Sequence, residues 1–288
     1  MKVLAGVVLS AALVVPVTAQ AATAAQEKLV YFSYDKSGKV RAYEKGEGWR
    51  TLAGTGAMPQ MAAAPDGRKA AWITDKGKLV VKAGRTLTTV ATKLQGGTPC
   101  LTPTWSADSK QVAYVKGETV IAVRADGTGA RKLGSTKGVC HLAWSADGRY
   151  LAGYTGEADA LYLLDTKTGK DDRVKGVKSI THVQSLSPDG SKAVVQVPSD
   201  PETPGDGTWP SAFTPVLIDT ATGKKRAIPV KGRLTGAFYR PDGSMVVRTA
   251  GKIVILDRNG EEVRRLAEPA GAKDAALLQV SGLSGLSG

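Results

Sequence analysis

The chain has 288 residues, and its 39 Lys and Arg residues against 26 Asp and Glu residues give a formal net charge of +13. This length allows one all-β domain to bury a large core. No long apolar run follows residue 17, so we expect no stable membrane insertion of the mature chain. The positive charge predicts attraction to anionic surfaces in general and does not identify one.

The first residues are predicted to be an export signal. Residues 3–17 are apolar, and this run is shorter than the roughly 20 residues that span a bilayer as a helix. Ala19-Gln20-Ala21 then fits the cleavage pattern of signal peptides. We therefore expect a signal peptide over residues 1–21 and a secreted, extracytoplasmic protein, with a retained N-terminal anchor as the alternative.

One pattern recurs along the chain: an apolar strand, a tight polar turn and a second strand, as in WSADGRYLAGY from Trp144. Each copy carries a turn aspartate: Asp66, Asp108, Asp147, Asp189 and Asp242, which lie 42, 39, 42 and 53 residues apart. A period near 40 residues with several short strands per unit predicts a β-propeller. Because Asp can bond nearby backbone N–H groups, we interpret the aspartates as turn residues.

The two ends of the chain together complete one further repeat. LVYFSYD, KVRAYEK and WRTL match the second to fourth strands of a unit, and ALLQVSG at 276–282 matches a first strand. Joining them removes the exposed edges of an open array. We therefore predict an all-β, six-bladed propeller over residues 29–288, closed by the C-terminal strand in the N-terminal blade, after a short linker over 22–28.

The repeats also resemble a known family. WSADG, LSPDG and RPDG, each followed by an apolar strand, and the D-x-x-TG and ADG turns resemble the WD40-like propeller repeat of the TolB family. The resemblance runs from about Leu29 to Gly282. It implies propeller construction and a role as a docking platform in the cell envelope. Members carry an N-terminal α/β domain before the propeller, and we expect no room for one here.

Four polar residues are predicted to lie at one mouth of the central channel: Gln60, Thr102, His141 and His182. The two histidines could share a transition metal, act as acid and base, or bond backbone groups beside a loop. The inner strands lack the carboxylates that hard cations need. No nucleophile elbow, phosphate loop or dinucleotide fingerprint occurs either. We predict no catalysis, metal or cofactor; the alternative is a small ligand or glycan at this mouth, bound or acted on by a hydrolase or lyase activity.

The two cysteines fall at the start of the innermost strand in consecutive repeats. Adjacent inner strands converge toward the propeller axis, so a Cys100–Cys140 disulfide between blades is geometrically feasible. Such a bond would persist in an exported protein. We predict that it forms, and two buried thiols are the alternative.

The irregular spacing of 53 comes from an insertion at 197–215 in the fifth repeat. Its candidate partner-binding residues are Asp200, Glu202, Asp206, Trp209 and Phe213. Long loops of this kind are usually functional or disordered, and Trp is a favoured interface anchor. The insertion is predicted to be either a binding loop or a solvated loop with Trp209 folded over the channel.

The basic residues gather at the first turn of each repeat and along its outer strand. Such charges discourage edge-to-edge aggregation, or they could attach the protein to an anionic cell-wall polymer. Export and the lack of an interleaved stacking platform argue against nucleic acid. We therefore predict a secreted, non-catalytic propeller that serves as an interaction scaffold for an envelope or extracellular protein.

Overall fold

The computed structural model describes residues 27–33, 38–54, 56, 60–198 and 213–282. These residues form 24 strands in six four-stranded sheets, which confirms the predicted all-β, six-bladed propeller. The predicted signal peptide and most of the predicted linker lie outside the described residues. Within the described ranges, no helix is long and apolar enough to cross a membrane.

Each blade contains four strands, called a to d from the channel outward. Blade 1 contains β24 (Ala275–Ser281), β1 (Lys28–Ser33), β2 (Lys39–Glu44) and β3 (Gly48–Gly54). Blade 2 contains β4 (Met61–Ala63), β5 (Lys69–Ile73), β6 (Leu79–Ala83) and β7 (Thr86–Ala91). Blade 3 contains β8 (Thr104–Trp105), β9 (Gln111–Lys116), β10 (Thr119–Arg124) and β11 (Arg131–Ser135).

The other three blades follow in chain order. Blade 4 contains β12 (Cys140–Trp144), β13 (Tyr150–Tyr154), β14 (Leu161–Asp165) and β15 (Lys170–Arg173). Blade 5 contains β16 (His182–Leu186), β17 (Lys192–Gln196), β18 (Pro215–Asp219) and β19 (Lys225–Arg226). Blade 6 contains β20 (Leu234–Tyr239), β21 (Met245–Thr249), β22 (Lys252–Leu256) and β23 (Glu262–Ala267).

The ring is closed by strands from both ends of the chain. β24 pairs antiparallel with β1, from Lys28 opposite Ser281 to Ser33 opposite Ala275, and blade 1 has the order β24-β1-β2-β3. The predicted closure is therefore confirmed. It gives β1 a partner on each side, so the N-terminal strand does not end the array as an open edge.

The turn between strands a and b repeats one hydrogen-bond pattern. The aspartate Oδ1 atom accepts the backbone N–H two residues later, at 2.8–3.0 Å, and the accepting residues are Asp66, Asp108, Asp147, Asp189 and Asp242. In blades 3, 4 and 5 a serine two residues before the aspartate also donates its hydroxyl to Oδ1. The recurring aspartates thus have the turn-forming role inferred from the sequence.

Asp189 illustrates how much one such turn is expected to contribute to the free energy of unfolding. Its Oδ1 accepts the Ser187 hydroxyl at 2.7 Å, the Ser191 N–H at 3.0 Å and the Ser191 hydroxyl at 2.8 Å. The bond from Ser187 lowers the pKa of the Asp189 carboxyl. We expect Asp189→Ala to reduce the free energy of unfolding by about 1 kcal/mol, measured by urea titration, because each bond is worth little in a solvated turn. An unchanged midpoint in Asp189→Ala would contradict this role.

The core consists of apolar layers between neighbouring blades. Between blades 3 and 4, for example, Val115, Leu133, Leu142, Leu151 and Leu164 are buried together. Strands a to c are mostly buried, whereas the outer strands β15 and β19 are largely exposed. The burial pattern therefore orders each blade from the channel to the solvent. We call the face with the turns between strands a and b the a–b face, and the face with the connectors between blades the d–a face.

Candidate functional site

A narrow cavity occupies the central channel near the a–b face. Its volume is about 100 Å³, and strand a of every blade lines it, through residues that include Ala62, Trp105, Leu142, Gln184, Phe238 and Gln279. Pro65, Ala107, Ala146 and Pro241 of the a–b turns also line it, which locates the cavity at that end. Its volume is below the roughly 300 Å³ at which small-molecule sites begin.

The four predicted channel residues lie at the start of, or just before, strand a, toward the d–a face, and all are buried. The exposed fractions are 0% for Gln60, 1% for Thr102, 0% for His141 and 3% for His182. The sequence predicted that these residues lie at a mouth of the channel, and in the structure their side chains are buried. Gln60 illustrates the reason: its Nε2 donates to the Gln95 carbonyl at 3.1 Å, and its Oε1 accepts the Thr98 N–H at 3.3 Å. Gln60 therefore holds the connector between blades 2 and 3.

The structure brings the two histidines together. The rings of His141 in blade 4 and His182 in blade 5 have centroids 4.1 Å apart. Tyr154 stacks parallel to His141 at 6.0 Å, and Phe213 meets His182 edge-on at 6.2 Å. His141 also has a φ of 42°, in the left-handed region that few non-glycine residues adopt. We call these four residues the histidine cluster.

The histidine cluster is a buried polar site of low dielectric. Burial lowers the pKa of His182 well below its usual value near 6.5, and the neighbouring His141 lowers it further. In the described ranges, no three His, Cys, Asp or Glu side chains come together in a way that could hold a metal ion. The burial therefore favours a neutral His182 imidazole, packed against the His141 ring at the d–a end of the channel.

This burial predicts a pH dependence of stability. Below pH 6.5 the unfolded chain protonates His182 while the folded chain keeps it neutral, so stability present above this pH is lost as the pH falls. The free energy of unfolding should decrease by up to about 1.4 kcal/mol per pH unit. Urea titrations between about pH 7.5 and pH 5 measure this slope. His182→Gln should reduce the change of the free energy of unfolding with pH. If the variant shows the same change as the unsubstituted protein, other titratable groups cause the pH dependence.

The predicted disulfide is present. Cys100 and Cys140 are bonded, with their Cα atoms 4.6 Å apart. Cys100 lies in the connector before β8, which has only two residues, whereas Cys140 begins the five-residue β12. The disulfide therefore ties a connector with little strand pairing of its own to the neighbouring blade.

Of the five insertion residues singled out by sequence, only Phe213 lies within the described residues. Its exposed fraction is 1%, and it packs with Val194, Ala237 and Val247 between blades 5 and 6. The sequence analysis placed Phe213 on a binding surface, and the structure instead makes it the anchor of the insertion's C-terminal end. Asp200, Glu202, Asp206 and Trp209 lie outside the described residues, and their binding role stays a prediction.

Sequence reasoning missed a buried ion pair beside the closing strand. Arg248 is 3% exposed, and its Nε contacts Glu268 Oε1 at 2.6 Å. Its two terminal nitrogens donate to the carbonyls of Ala275 at 2.7 Å and Ala272 at 2.8 Å. The Tyr31 hydroxyl donates to Glu268 at 3.1 Å, and burial raises the pKa of this phenol, with Glu268 adding to the effect. An arginine in the otherwise apolar strand MVVRT was the one available signal.

Two hollows open on the d–a face. One, of about 590 Å³, lies between blades 6 and 1 and is lined by the connector at 268–274 and the b–c turn at 249–251. The other, of about 580 Å³, lies between blades 3 and 4 and includes Leu101, Lys116 and Lys137. We call them the 6–1 hollow and the 3–4 hollow. Both volumes are within the roughly 300–1,000 Å³ of typical ligand sites.

Comparisons with known proteins agree with this architecture. No family model matches the chain. The Tol-Pal system protein TolB of Francisella tularensis subsp. tularensis (strain WY96-3418) is 42% identical over 52 residues, and this match spans 17% of the chain and 12% of that protein.

Solved structures match over most of the chain. The crystal structure of TolB from Acinetobacter baumannii superposes with a TM-score of 0.54 and 16% identity, covering 88% of this chain and 67% of that one. A chain of the nidogen/laminin complex superposes with a TM-score of 0.53 and 10% identity, and the match covers 88% of this chain and 97% of that chain. Identities this low carry information on the fold and not on function. The resemblance to TolB inferred from the repeats is thus confirmed for the fold, and the chain is a six-bladed β-propeller whose fold is similar to that of the TolB propeller.

Proposed function

We propose that this chain is an exported, non-catalytic scaffold that docks a protein of the cell envelope or extracellular space through its d–a face. The observation that carries the proposal is the arrangement of that face. The 6–1 and 3–4 hollows both open there. The insertion leaves and re-enters the propeller on the same face, after β17 and before the buried anchor Phe213.

Several further features support this proposal. The channel cavity of about 100 Å³ is too small for most ligands, and the histidine cluster is buried. A disulfide is typical of oxidising compartments outside the cytoplasm. The fold is shared with TolB, which is described as a protein of the Tol-Pal system. The small cavity and the buried histidines favour docking over a channel enzyme, the disulfide supports export, and the likeness to TolB is an analogy from the fold.

A pull-down from envelope and culture-fluid extracts tests the proposal. The intact protein is compared with a variant whose residues 199–211 are replaced by a short Gly-Ser turn, with Phe213 kept because it is part of the core. We expect a protein that the intact chain captures and the loop variant does not. The matched control is Lys192→Ala with Arg258→Ala, two residues at a hollow on the a–b face, which should capture the same protein.

Two outcomes would contradict docking through the d–a face. Loss of capture in the a–b control, with capture kept in the loop variant, would place the interface on the opposite face. Equal capture by both variants that disappears as salt is raised would instead favour an anionic wall polymer bound by the basic outer strands, since exposed charges are screened within about 10 Å at 0.1 M salt.

A further inference from the structure

We infer that the 6–1 hollow binds a carboxylate-bearing segment of the protein partner. This inference rests on the proposed docking function and adds the chemistry of the ligand. The hollow lies where the C-terminal strand enters blade 1, and residues of two different connectors and one b–c turn line it. Its charges and the Thr235 hydroxyl point to an anionic ligand, and its rigid wall favours tight binding.

The charges of the hollow leave an excess of positive groups. Five charged residues line it: Arg233, Arg248, Glu268, Lys273 and Asp274. Arg248 and Glu268 neutralise one another through their contact of 2.6 Å. Arg233 and Lys273 are both exposed, and neither forms an ion pair within the part of the chain that the structure describes. Two cationic side chains therefore face one remaining carboxylate, that of Asp274.

One wall of the hollow is fixed before any ligand arrives. Three side chains donate hydrogen bonds to backbone carbonyls of the connector at 268–274. Arg248 donates to Ala272 at 2.8 Å, Trp49 Nε1 donates to Ala270 at 2.9 Å, and Arg41 donates to Gly271 at 3.1 Å. The Glu268 N–H also donates to the Gly251 carbonyl at 2.9 Å. A wall held by bonds to three parts of the fold loses little entropy on binding, which favours affinity.

The remaining lining groups suit a carboxylate. Arg233 has a planar guanidinium that can bind both oxygens of a carboxylate, and Lys273 supplies a point charge beside it. Thr235 also lines the hollow, and its hydroxyl can donate to the same anion. With a volume of about 590 Å³, the hollow accommodates a few side chains of an extended acidic segment, such as Asp and Glu residues near the end of a chain.

Fluorescence anisotropy with a labelled hexaglutamate peptide tests this assignment on the mature protein. We expect saturable binding at low salt, and no binding of a labelled hexaglutamine peptide. Arg233→Gln and Lys273→Gln should each weaken the binding of hexaglutamate about tenfold, because each removes a charge-assisted hydrogen bond. The thermal midpoint should be unchanged, since both side chains are exposed.

The 3–4 hollow on the same face supplies the matched control. Lys116→Gln with Lys137→Gln removes two positive charges there and should change hexaglutamate affinity less than about twofold, by the loss of net charge alone. Equal weakening by both pairs of substitutions would overturn the assignment and attribute binding to surface charge. Binding of a labelled oligophosphate in place of hexaglutamate would overturn it in favour of a phosphate polymer.

The pull-down separates failure of this inference from failure of the docking function. If Arg233→Gln with Lys273→Gln still captures the partner as well as the unsubstituted protein does, docking stands and the carboxylate site is wrong. If the unsubstituted protein captures no protein but binds hexaglutamate through Arg233 and Lys273, the docking function fails while the anion site remains.

Discussion

Replacing Arg248 with methionine is expected to lower the free energy of unfolding by about 3–5 kcal/mol, because removing one partner of a buried ion pair leaves the other charge uncompensated. Among the side chains that the structure describes, the Tyr31 hydroxyl at 3.1 Å would be the one left bonded to Glu268. The carbonyls of Ala272 and Ala275, just before and within β24, would lose the bonds from Arg248 as well, and Ala272 would keep the Ala275 N–H at 3.1 Å. Guanidinium chloride unfolding at neutral pH measures the loss.

A double replacement distinguishes the effect of an uncompensated charge from the effect of lost packing. Arg248→Met with Glu268→Gln removes both charges, so it should be less destabilised than Arg248→Met alone. Arg248→Lys keeps the charge but loses the forked geometry that reaches two carbonyls and a carboxylate, and it should remain clearly destabilised. A loss below about 1 kcal/mol in Arg248→Met would mean that the closing strand does not depend on this network.

Removing the disulfide is expected to have the second largest effect. Cys100→Ala with Cys140→Ala opens a loop with a sequence separation of 40. The chain-entropy treatment of such a loop predicts a loss of roughly 3–4 kcal/mol. Because β8 has only two residues, we expect the loss to appear first as faster hydrogen exchange in the connector at 92–103 and in blade 3.

Reduction of the unsubstituted protein is the control for this prediction. Its unfolding midpoint in the presence of dithiothreitol should approach that of Cys100→Ala with Cys140→Ala, whose own midpoint should not respond to reductant. If reductant leaves the unsubstituted protein unchanged while its mass increases by two hydrogens, the bond forms but does not stabilise the fold.

The architecture was predictable because it depends on local chemistry. The a–b turns need Asp at one position, and the hydrogen bonds of Asp66 and Asp189 show why the residue recurs. Strand alternation around these turns then defines each blade. Even the closure by β24 was predictable, because an unmatched first strand at one end and three unmatched strands at the other complete one repeat.

The candidate site was predictable only in part. The positions of His141 and His182 in strand a of neighbouring blades correctly suggested that they lie near one another, since adjacent inner strands converge toward the axis. Their burial depends on packing by Tyr154 and Phe213, which come from other strands and from the end of the insertion. No repeat pattern specifies those contacts.

Arg248 shows the second reason why part of the site could not be predicted from the sequence. The strand MVVRT does not indicate a partner for its arginine, and Glu268 lies 20 residues later in a connector without a recurring motif. Only the folded ring brings Tyr31, from the opposite end of the chain, to the same carboxylate. The 6–1 hollow depends on this network and was therefore not visible in the sequence either.

Hydrogen–deuterium exchange of the protein with its captured partner tests the docking account most directly. The account predicts that binding slows exchange in the d–a connectors at 92–103, 136–139, 227–233 and 268–274, while the a–b turns around Asp66, Asp147 and Asp242 exchange as in the free protein. Slower exchange confined to those a–b turns would place the partner on the opposite face and contradict the account.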